Sequence, residues 1–153
     1  MEQNYQIDNL DKQILSYLGK DARMPFTDIA KKLKVSSGTI HQRMNKMTEA
    51  GIIKGSQIIL DYEKLGYDVT VLLGVNLKSA NDQPEVLKQL DFFDEVTEVY
   101  YTTGTFALMV KIQTKSIKDF HSFLINKLQA IESVQSTESF ICLDTPISRL
   151  RTP

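Results

Sequence analysis

The chain has 153 residues, of which 42% are hydrophobic and 24% charged, as in an ordinary globular protein of one or two small domains. No apolar run is long enough to span a bilayer, and the start Met1-Glu2 differs from the basic start of a secretory signal peptide. We therefore expect a cytoplasmic protein. The single cysteine, Cys142, excludes an internal disulfide, and its apolar neighbours predict a buried position.

The net charge of −1 hides an asymmetry between the two parts of the chain. Residues 1–60 contain nine Lys and Arg against six Asp and Glu, a balance of +3, whereas residues 61–153 contain nine against thirteen, a balance of −4. A basic N-terminal part suits contact with phosphate, and an acidic remainder does not. The charge pattern supports nucleic-acid binding by the first part, although a solvated surface would give the same count.

Three short amphipathic helices are predicted in the first third of the chain. Asp8 is the expected N-cap of the first helix, Pro25 opens the second, and Ser36 caps the third, which ends before Gly51. Apolar residues recur on these helices at helical spacing: Leu10, Ile14 and Leu18; Ile29, Ala30 and Leu33; Ile40, Met44 and Met47. One shared apolar centre predicts a trihelical domain at residues 1–52.

Residues 26–44 predict two helices joined by a tight turn, the helix-turn-helix that presents its second helix to the DNA major groove. With the apolar stripe inward, the opposite face of that helix is polar, and amide and cationic side chains suit base edges and phosphates. Hydroxyl residues and free N–H groups at the helix start suit a phosphate, and a glycine there permits close approach. The predicted DNA contacts are Ser36, Ser37, Gly38, Thr39, His41, Gln42 and Arg43, with Lys46 and Lys31 on the backbone. A solvated amphipathic helix is the alternative.

The remainder of the chain predicts a second domain of mixed structure. A linking strand and a turn are expected at 53–66, and a domain of alternating strands and helices at 67–153. The strands are expected at 69–77, 96–102, 106–112 and 134–143, and the helices at 84–93 and 117–131. The order β-α-β-β-α-β is that of the ferredoxin-like arrangement, so the fold class is α+β. Residues 103–105 predict a tight hairpin turn.

Two helices are enough to cover only one face of this predicted sheet. The other face would present one alternate set of side chains from each strand, including Phe106 or its neighbours. An apolar sheet face of that size usually meets a partner. We therefore expect two copies to pack sheet to sheet as a dimer.

Several motifs in this order resemble the Lrp/AsnC family of bacterial and archaeal regulators, also called feast/famine regulatory proteins. The similarity covers nearly the whole chain, and the later motifs are closest to the AsnC branch. The motifs are Ile7-Asp-Asn-Leu-Asp-Lys12, Ser36-Ser-Gly-Thr-Ile-His-Gln-Arg43, Ala50-Gly-Ile-Ile-Lys-Gly55, Leu65-Gly-Tyr67, Glu95-Val-Thr-Glu-Val-Tyr-Tyr-Thr-Thr-Gly104, Leu124-Ile-Asn-Lys-Leu128 and Ile131-Glu-Ser-Val-Gln-Ser-Thr-Glu138. The resemblance implies an N-terminal helix-turn-helix, a linking strand and a C-terminal ligand-sensing domain. It also implies dimers that assemble further, often into octamers, with an amino acid bound between dimers.

The AsnC branch implies asparagine as the effector and control of asparagine synthesis. The family's turn after the second sheet strand often contains two acids, but this chain has Thr103-Gly-Thr-Phe-Ala107, which has none. Hydroxyl and backbone groups of that turn are left to bind the α-carboxylate or α-amine of an amino acid. The expected effector residues are Tyr101, Thr103, Gly104 and Thr105 on one segment and Gln135, Ser136 and Thr137 on another. Ordinary turn and sheet-surface residues are the alternative for each.

The sequence gives little support for an enzyme. Two histidines, one in each predicted domain, and a single cysteine form no cluster with metal-ligand spacing, and no glycine-rich phosphate loop occurs. We expect no metal and no cofactor other than the amino-acid effector. Three hypotheses remain: a DNA-binding transcriptional regulator of amino-acid metabolism, an amino-acid-sensing module that acts through protein contacts without binding DNA, and a small enzyme on a ferredoxin-like sheet.

Overall fold

A computed structural model of the protein describes residues 5–153; residues 1–4, which belong to the predicted domain 1–52, lie outside the described residues. The chain forms two compact units. The helical unit runs up to Ile59 and also includes Ile147–Pro153, and the sheet unit is Leu60–Pro146. Among residues 5–153, no helix has the length and apolar character that crossing a bilayer requires.

From residue 5 onward, the helical unit contains three α-helices: α1 at Asn9–Lys20, α2 at Phe26–Leu33 and α3 at Ser37–Glu49. The predicted N-caps of α1 and α3 are confirmed, because Asp8 accepts a hydrogen bond from the Asp11 backbone N–H and Ser36 accepts one from the Thr39 N–H. The three helices share one small core, whose buried hydrophobic side chains are Ile14, Ile29, Ala30, Ile40 and Met47. Met44, expected in that core, is only half-buried.

The segment Ile147–Pro153 lies against α1 and not against the sheet unit to which the sequence assigned it. A Cβ added to Gly19 would lie 2.4 Å from Cγ2 of Thr152 and 3.3 Å from Cδ2 of Leu150. Because a Cβ at this position would require Thr152 to shift, Gly19 permits this close approach. The separation of these residues along the chain explains why their contact was not predicted.

The predicted linking strand is wrong for the single chain. The residues after Gly51 and up to Leu60 form no strand in the described part of the chain, and Ile58 and Ile59 are largely exposed. An extended segment becomes a strand only when a second one pairs with it, and no neighbour within residues 5–153 does so. A 3₁₀ turn at Glu63–Leu65 follows.

The sheet unit has the expected order β-α-β-β-α-β. Its strands are β1 at Val69–Leu77, β2 at Val96–Tyr101, β3 at Leu108–Thr114 and β4 at Val134–Cys142. They form one antiparallel sheet in the order β2-β3-β1-β4. The helices are α4 at Gln83–Asp91, after a 3₁₀ turn at Ala80–Asp82, and α5 at Ile117–Phe123, which continues as a π-helical segment at Leu124–Leu128.

Both helices cover the same face of the sheet, and the core lies between them and the strands. Alternate residues of β1 and β3 enter this core, including Val71, Leu73, Val110 and Ile112. The residues that alternate with them point to the other face, which we call the open face. Its apolar members include Leu72, Tyr100, Met109 and Phe140, of which Tyr100 is 54% exposed and Phe140 is 44% exposed.

Cys142 lies on the open face and not in the core, because it pairs with Thr70 of β1 while the adjacent Ile141 pairs with the buried Val71. Its side chain is half-buried. An apolar neighbourhood in the sequence predicted burial, but the two-residue period of the strand decided the face.

Candidate DNA-binding and effector sites

The surface of α3 presents one continuous polar stripe. Apart from Thr48, the exposed residues of α3 recur at the spacing of a single helical face: Gly38, His41, Gln42, Asn45, Lys46 and Glu49. The buried residues of the helix, Ile40 and Met47, point the other way into the core. The sequence predicted four of these exposed positions as DNA contacts. It placed Asn45 on the polar face and did not anticipate the acidic end of the stripe at Glu49.

The start of α3 is held by its own hydroxyl groups. The Ser36 Oγ accepts a hydrogen bond from the Thr39 N–H at 3.0 Å and lies 2.9 Å from the Thr39 Oγ1. These bonds occupy the Ser36 oxygen that the sequence assigned to a phosphate, whereas Ser37 contributes a backbone N–H in the first turn. Thr39 is half-buried beside the cap. A Cβ added to Gly38 would come no closer than 3.7 Å to the protein, so its lack of a side chain is not required by the fold.

The turn between α2 and α3 contains a non-glycine residue in the left-handed conformation. Lys34 caps α2 in the left-handed region with φ 56°, and the Val35 N–H donates to the Ala30 carbonyl at 3.0 Å. This geometry turns the chain directly from α2 into α3. Lys31 is exposed near the end of α2 and has Asp28 at 3.8 Å, a weak surface pair that leaves its ammonium group accessible.

Arg43 is placed differently from the sequence-based expectation of a DNA contact. Its side chain is 30% exposed and turns toward α1, where Nη1 lies 2.6 Å from Oδ2 of Asp8 and 3.4 Å from both carboxylate oxygens of Asp11. Hydrogen bonding with Tyr5 and with Asp8 raises the pKa of the Arg43 guanidinium. The pKa of Asp8 is lowered by the hydrogen bond from the Asp11 N–H and by Arg43. The pairing joins residues far apart in the sequence, so periodicity did not indicate it.

The residues expected to bind an effector form two groups at opposite edges of the sheet. Tyr101 at the end of β2 pairs with Leu108, Leu108 pairs with Val75, and Val75 pairs with Thr137 of β4. This row crosses all four strands, and three strand spacings separate its ends by roughly 14 Å. The structure therefore does not bring the two groups together within one chain, although it places them at the same end of the sheet.

The second of these groups lines a small hollow of about 220 Å³. Its lining residues are Gln129, Val134, Gln135, Ser136 and Thr137. Gln129 is a residue that the sequence analysis missed. It follows the π-helical segment, and its N–H donates to the carbonyl of Leu124 at 2.8 Å, so the wider turn sets its position. The helical period alone gave no signal for this change of geometry.

A larger groove of about 450 Å³ lies between α4 and β2. Half of its lining residues are aliphatic, namely Leu87, Leu90, Val96 and Val99, and they lie beside charged side chains. One of these, Glu98, is bound to Lys111 at 2.8 Å, and this bond lowers the pKa of its carboxyl group. The smaller hollow has the amide and hydroxyl groups that recognition of a polar amino acid requires, and we prefer it as the candidate site for that reason.

The first of the two groups lies on the segment between β2 and β3, which spans residues 102–107 and is longer than the predicted tight turn. Thr103, Gly104 and Thr105 are exposed. The following residue, Phe106, lies over Gly74 on the open face, and a Cβ at Gly74 would come within 2.5 Å of its ring. The ring also meets Phe140 edge-on, with centroids 6.2 Å apart. The exposed turn is therefore fixed by an aromatic contact on the open face.

Both units match known protein-family models. Residues 7–54 match the winged helix-turn-helix DNA-binding model, and residues 69–152 match the Lrp/AsnC ligand binding domain. The chain belongs to the Lrp/AsnC family. Within the described part of the helical unit no strands form a wing, so the resemblance to the first model rests on the three helices.

Relatives of this Lrp/AsnC protein match it over nearly its full length. It is 50% identical over 145 residues to Regulatory protein AsnC of Haemophilus influenzae, covering 95% of this chain and 97% of that protein. It is 48% identical over 151 residues to Regulatory protein AsnC of Escherichia coli K12, covering 99% of each. The solved structure of E. coli AsnC superposes with a TM-score of 0.92 at 47% identity and covers 97% of this chain and 100% of that one.

These comparisons select one of the three hypotheses. The chain is a transcriptional regulator with a DNA-binding helix-turn-helix and a ligand-binding domain of the Lrp/AsnC type, and not an enzyme. The α+β fold that the sequence predicted, three helices followed by a ferredoxin-like domain, is confirmed by the same matches. The alternative of a sensing module that does not bind DNA has no support from them.

Proposed function

We propose that this regulator binds DNA as a dimer or larger assembly of dimers, in the cytoplasm, and that asparagine bound between copies of the chain changes its DNA affinity. The observation that supports the shared site is the separation of the two candidate effector groups. An amino acid that is shorter than the roughly 14 Å between Tyr101 and Thr137 contacts both groups only if they come from different copies.

The chemistry of the two groups suits a polar amino acid. Gln129 and Gln135 offer amide donors and acceptors that match a side-chain amide, and Ser136 and Thr137 add hydroxyl groups. Thr103 and Thr105 offer hydroxyl groups from the other copy, with the exposed backbone of Gly104 beside them. The absence of acids at Thr105 and Ala107 leaves recognition of the ammonium group to neutral acceptors.

The open face supports the dimer. Leu72, Tyr100, Met109, Phe106 and Phe140 form an apolar surface on the side of the sheet that the described helices leave uncovered. Packing this face against a second copy would remove it from water. The exposed Ile58 and Ile59 of the linking segment would gain cover if the segments of two copies pair as strands.

For DNA, we propose that the exposed stripe of α3 enters the major groove. His41, Gln42, Asn45 and Lys46 are then nearest the bases and phosphates, with Gly38 allowing the helix start to approach and Ser37 offering a backbone N–H to a phosphate. Lys31 on α2 is placed for the flanking backbone. A two-fold pair of such helices predicts half-sites about one helical turn apart.

The test is DNase footprinting of the DNA upstream of the protein's own coding region, with and without asparagine, together with isothermal titration of asparagine. We expect protected half-sites, a footprint that changes with asparagine, and saturable heat. Heat from another amino acid but none from asparagine would reject asparagine as the effector. A single-species monomer across the micromolar range in analytical ultracentrifugation would reject the shared site and the dimer.

A further inference from the structure

The Nη1 group of Arg43 is directed at two carboxylates of the protein. This nitrogen is 2.6 Å from the carboxylate of Asp8 and 3.4 Å from that of Asp11, and these acids are 35 and 32 residues away in the sequence. One guanidinium therefore faces two carboxylates, and the local charge is negative. A DNA phosphate would have to compete with both acids for this cation, whereas Lys46 on the same helix is exposed.

The buried carboxylate of Asp11 requires a cationic partner such as Arg43. The Asp11 side chain is completely buried in the helical unit. Besides Arg43, its Oδ2 accepts hydrogen bonds from the Tyr5 hydroxyl at 2.8 Å and from the Asp8 N–H at 3.1 Å. A buried carboxylate is tolerated only when it is paired and hydrogen-bonded, so removal of Arg43 would leave an uncompensated charge in this site.

The contact joins α1 and α3, whose apolar side chains share the core of the helical unit. The α3 helix packs extensively on α2, but its backbone approaches α1 at only a few positions. Arg43 follows Gln42 directly and lies one turn after Thr39, so a fixed Arg43 adds a second constraint, beside the buried Ile40 and Met47, on how α3 is rotated about its own axis. A rotation of about 20° would move side-chain tips by roughly 2 Å at the rim of a helix about 11 Å wide. That shift exceeds the tolerance of a base-edge hydrogen bond.

We propose that Asp11 and Arg43 form a clamp that sets the rotation of α3, and that Arg43 is a positioning residue for DNA recognition and not a DNA contact. Asp8 and Tyr5 complete the clamp by holding the two central groups. The proposal rests on the use of α3 as the recognition helix. It adds that an acid on α1, remote from the exposed stripe, controls sequence discrimination.

The experiment compares three substitutions in the full-length protein: Asp11→Asn, Arg43→Met and, as the matched control on the exposed stripe, Lys46→Met. Affinities are measured by fluorescence anisotropy across a salt series, for the upstream duplex defined by footprinting and for a scrambled duplex of equal length. Circular dichroism fixes a temperature at which every variant is folded, and all affinities are measured there.

Removing an acid from a DNA-binding protein would strengthen DNA binding if only charge mattered. The clamp makes a different prediction for Asp11→Asn, which concerns discrimination between the two duplexes. The ratio of specific to scrambled affinity should fall by about tenfold, as expected for the loss of one base contact. Arg43→Met should lower the same ratio without changing the salt slope. Lys46→Met should lower both affinities alike and reduce the salt slope by about one.

If Arg43→Met reduces the salt slope by about one and weakens both duplexes equally, Arg43 contacts phosphate and the clamp is wrong. An unchanged or improved discrimination ratio for Asp11→Asn would also overturn it. Should Asp11→Asn fail to fold, Tyr5→Phe removes one hydrogen bond to Asp11 and keeps both charges; discrimination should fall in the same direction by a smaller factor, and an unchanged ratio rejects the proposal. Failure of Lys46→Met to alter binding would instead count against α3 as the recognition helix.

Discussion

The sheet unit buries thirteen hydrophobic side chains between its helices and one face of its sheet, whereas the described part of the helical unit buries five and places the carboxylate of Asp11 beside them. Each fully buried aliphatic side chain contributes about 1.5–3 kcal/mol, so the sheet unit has much the larger apolar contribution to stability. The core of the sheet unit lies on one face of the sheet only, so the second face is left for a partner. The helical unit also contains a polar network around Asp11, which includes Arg43 of α3. Directional hydrogen bonds of this kind suit a helix whose exposed stripe must be oriented toward DNA.

The largest contrast is expected between the two faces of β1. Leu73→Ala removes a completely buried side chain and should cost about 2–5 kcal/mol of unfolding free energy, measured by urea denaturation. Its neighbour Leu72, on the open face and 38% exposed, is the control. Leu72→Ala should instead weaken self-association in ultracentrifugation at low concentration. Equal losses of stability for the two variants, with unchanged assembly, would mean that the open face is not used.

A smaller effect is expected at Gly74, where Phe106 lies over the strand. Gly74→Ala inserts a methyl group 2.5 Å from that ring and should destabilise the sheet unit by about 1–3 kcal/mol through overpacking, while displacing the turn at Thr103–Thr105. Gly104→Ala is the matched control, because no atom lies within 4 Å of the added group. Thermal unfolding distinguishes the two. Equal stability of both variants would show that Phe106 moves aside without cost.

The helical unit should respond in the opposite direction to a glycine substitution. Gly38→Ala fits the fold and should raise helix stability by about 0.5–1 kcal/mol, because alanine loses less backbone entropy. We expect the same variant to bind DNA more weakly, since the methyl group lies where α3 is proposed to meet the duplex. Calorimetry and anisotropy measure the two effects separately. Unchanged affinity in the stabilised variant would place the helix start away from DNA.

The smallest effect concerns pH. The folded-state pKa of Asp8 is lowered below its ordinary value of 3.8 by the Asp11 N–H bond and by Arg43, so its contribution to stability is present above that value. The contribution is lost as pH falls through the lowered pKa. Asp8→Asn keeps a good N-cap and removes the charge, so the variant should be less stable at neutral pH and lose less on acidification below about pH 4. The measurement is an acid titration of each protein followed by circular dichroism. Equal losses of stability in the two proteins below about pH 4 would contradict the prediction.

Local signals in the sequence were sufficient for much of the fold. Asp8 and Ser36 marked helix starts because capping depends on residues three positions apart, and the two-residue alternation located the strands. The prediction of a linking strand failed because a strand requires a paired neighbour and not only β propensity. Its apolar pattern around Ile58 indicates β structure only in the presence of a partner.

The DNA-binding and effector sites were harder to predict from the sequence than the fold. Helical spacing predicted the exposed stripe at Gln42 and Lys46, but it gave no sign that Arg43 pairs with Asp8 and Asp11, because these acids belong to another part of the chain. The effector residues were divided between two edges because strand order, which periodicity does not give, separates Tyr101 from Thr137. Gln129 was missed because a π turn changes the direction of side chains without a sequence signal.

The contact between Gly19 and Thr152 has a consequence for the order in which the two units become complete during synthesis. The helical unit is assembled from two stretches of chain that flank Leu60–Pro146, so the ribosome must complete the sheet unit before the second stretch emerges. The sheet unit is continuous and has every residue it needs at that moment. A nascent chain therefore has all residues of the sheet unit before it has the stretch that packs on Gly19 of α1.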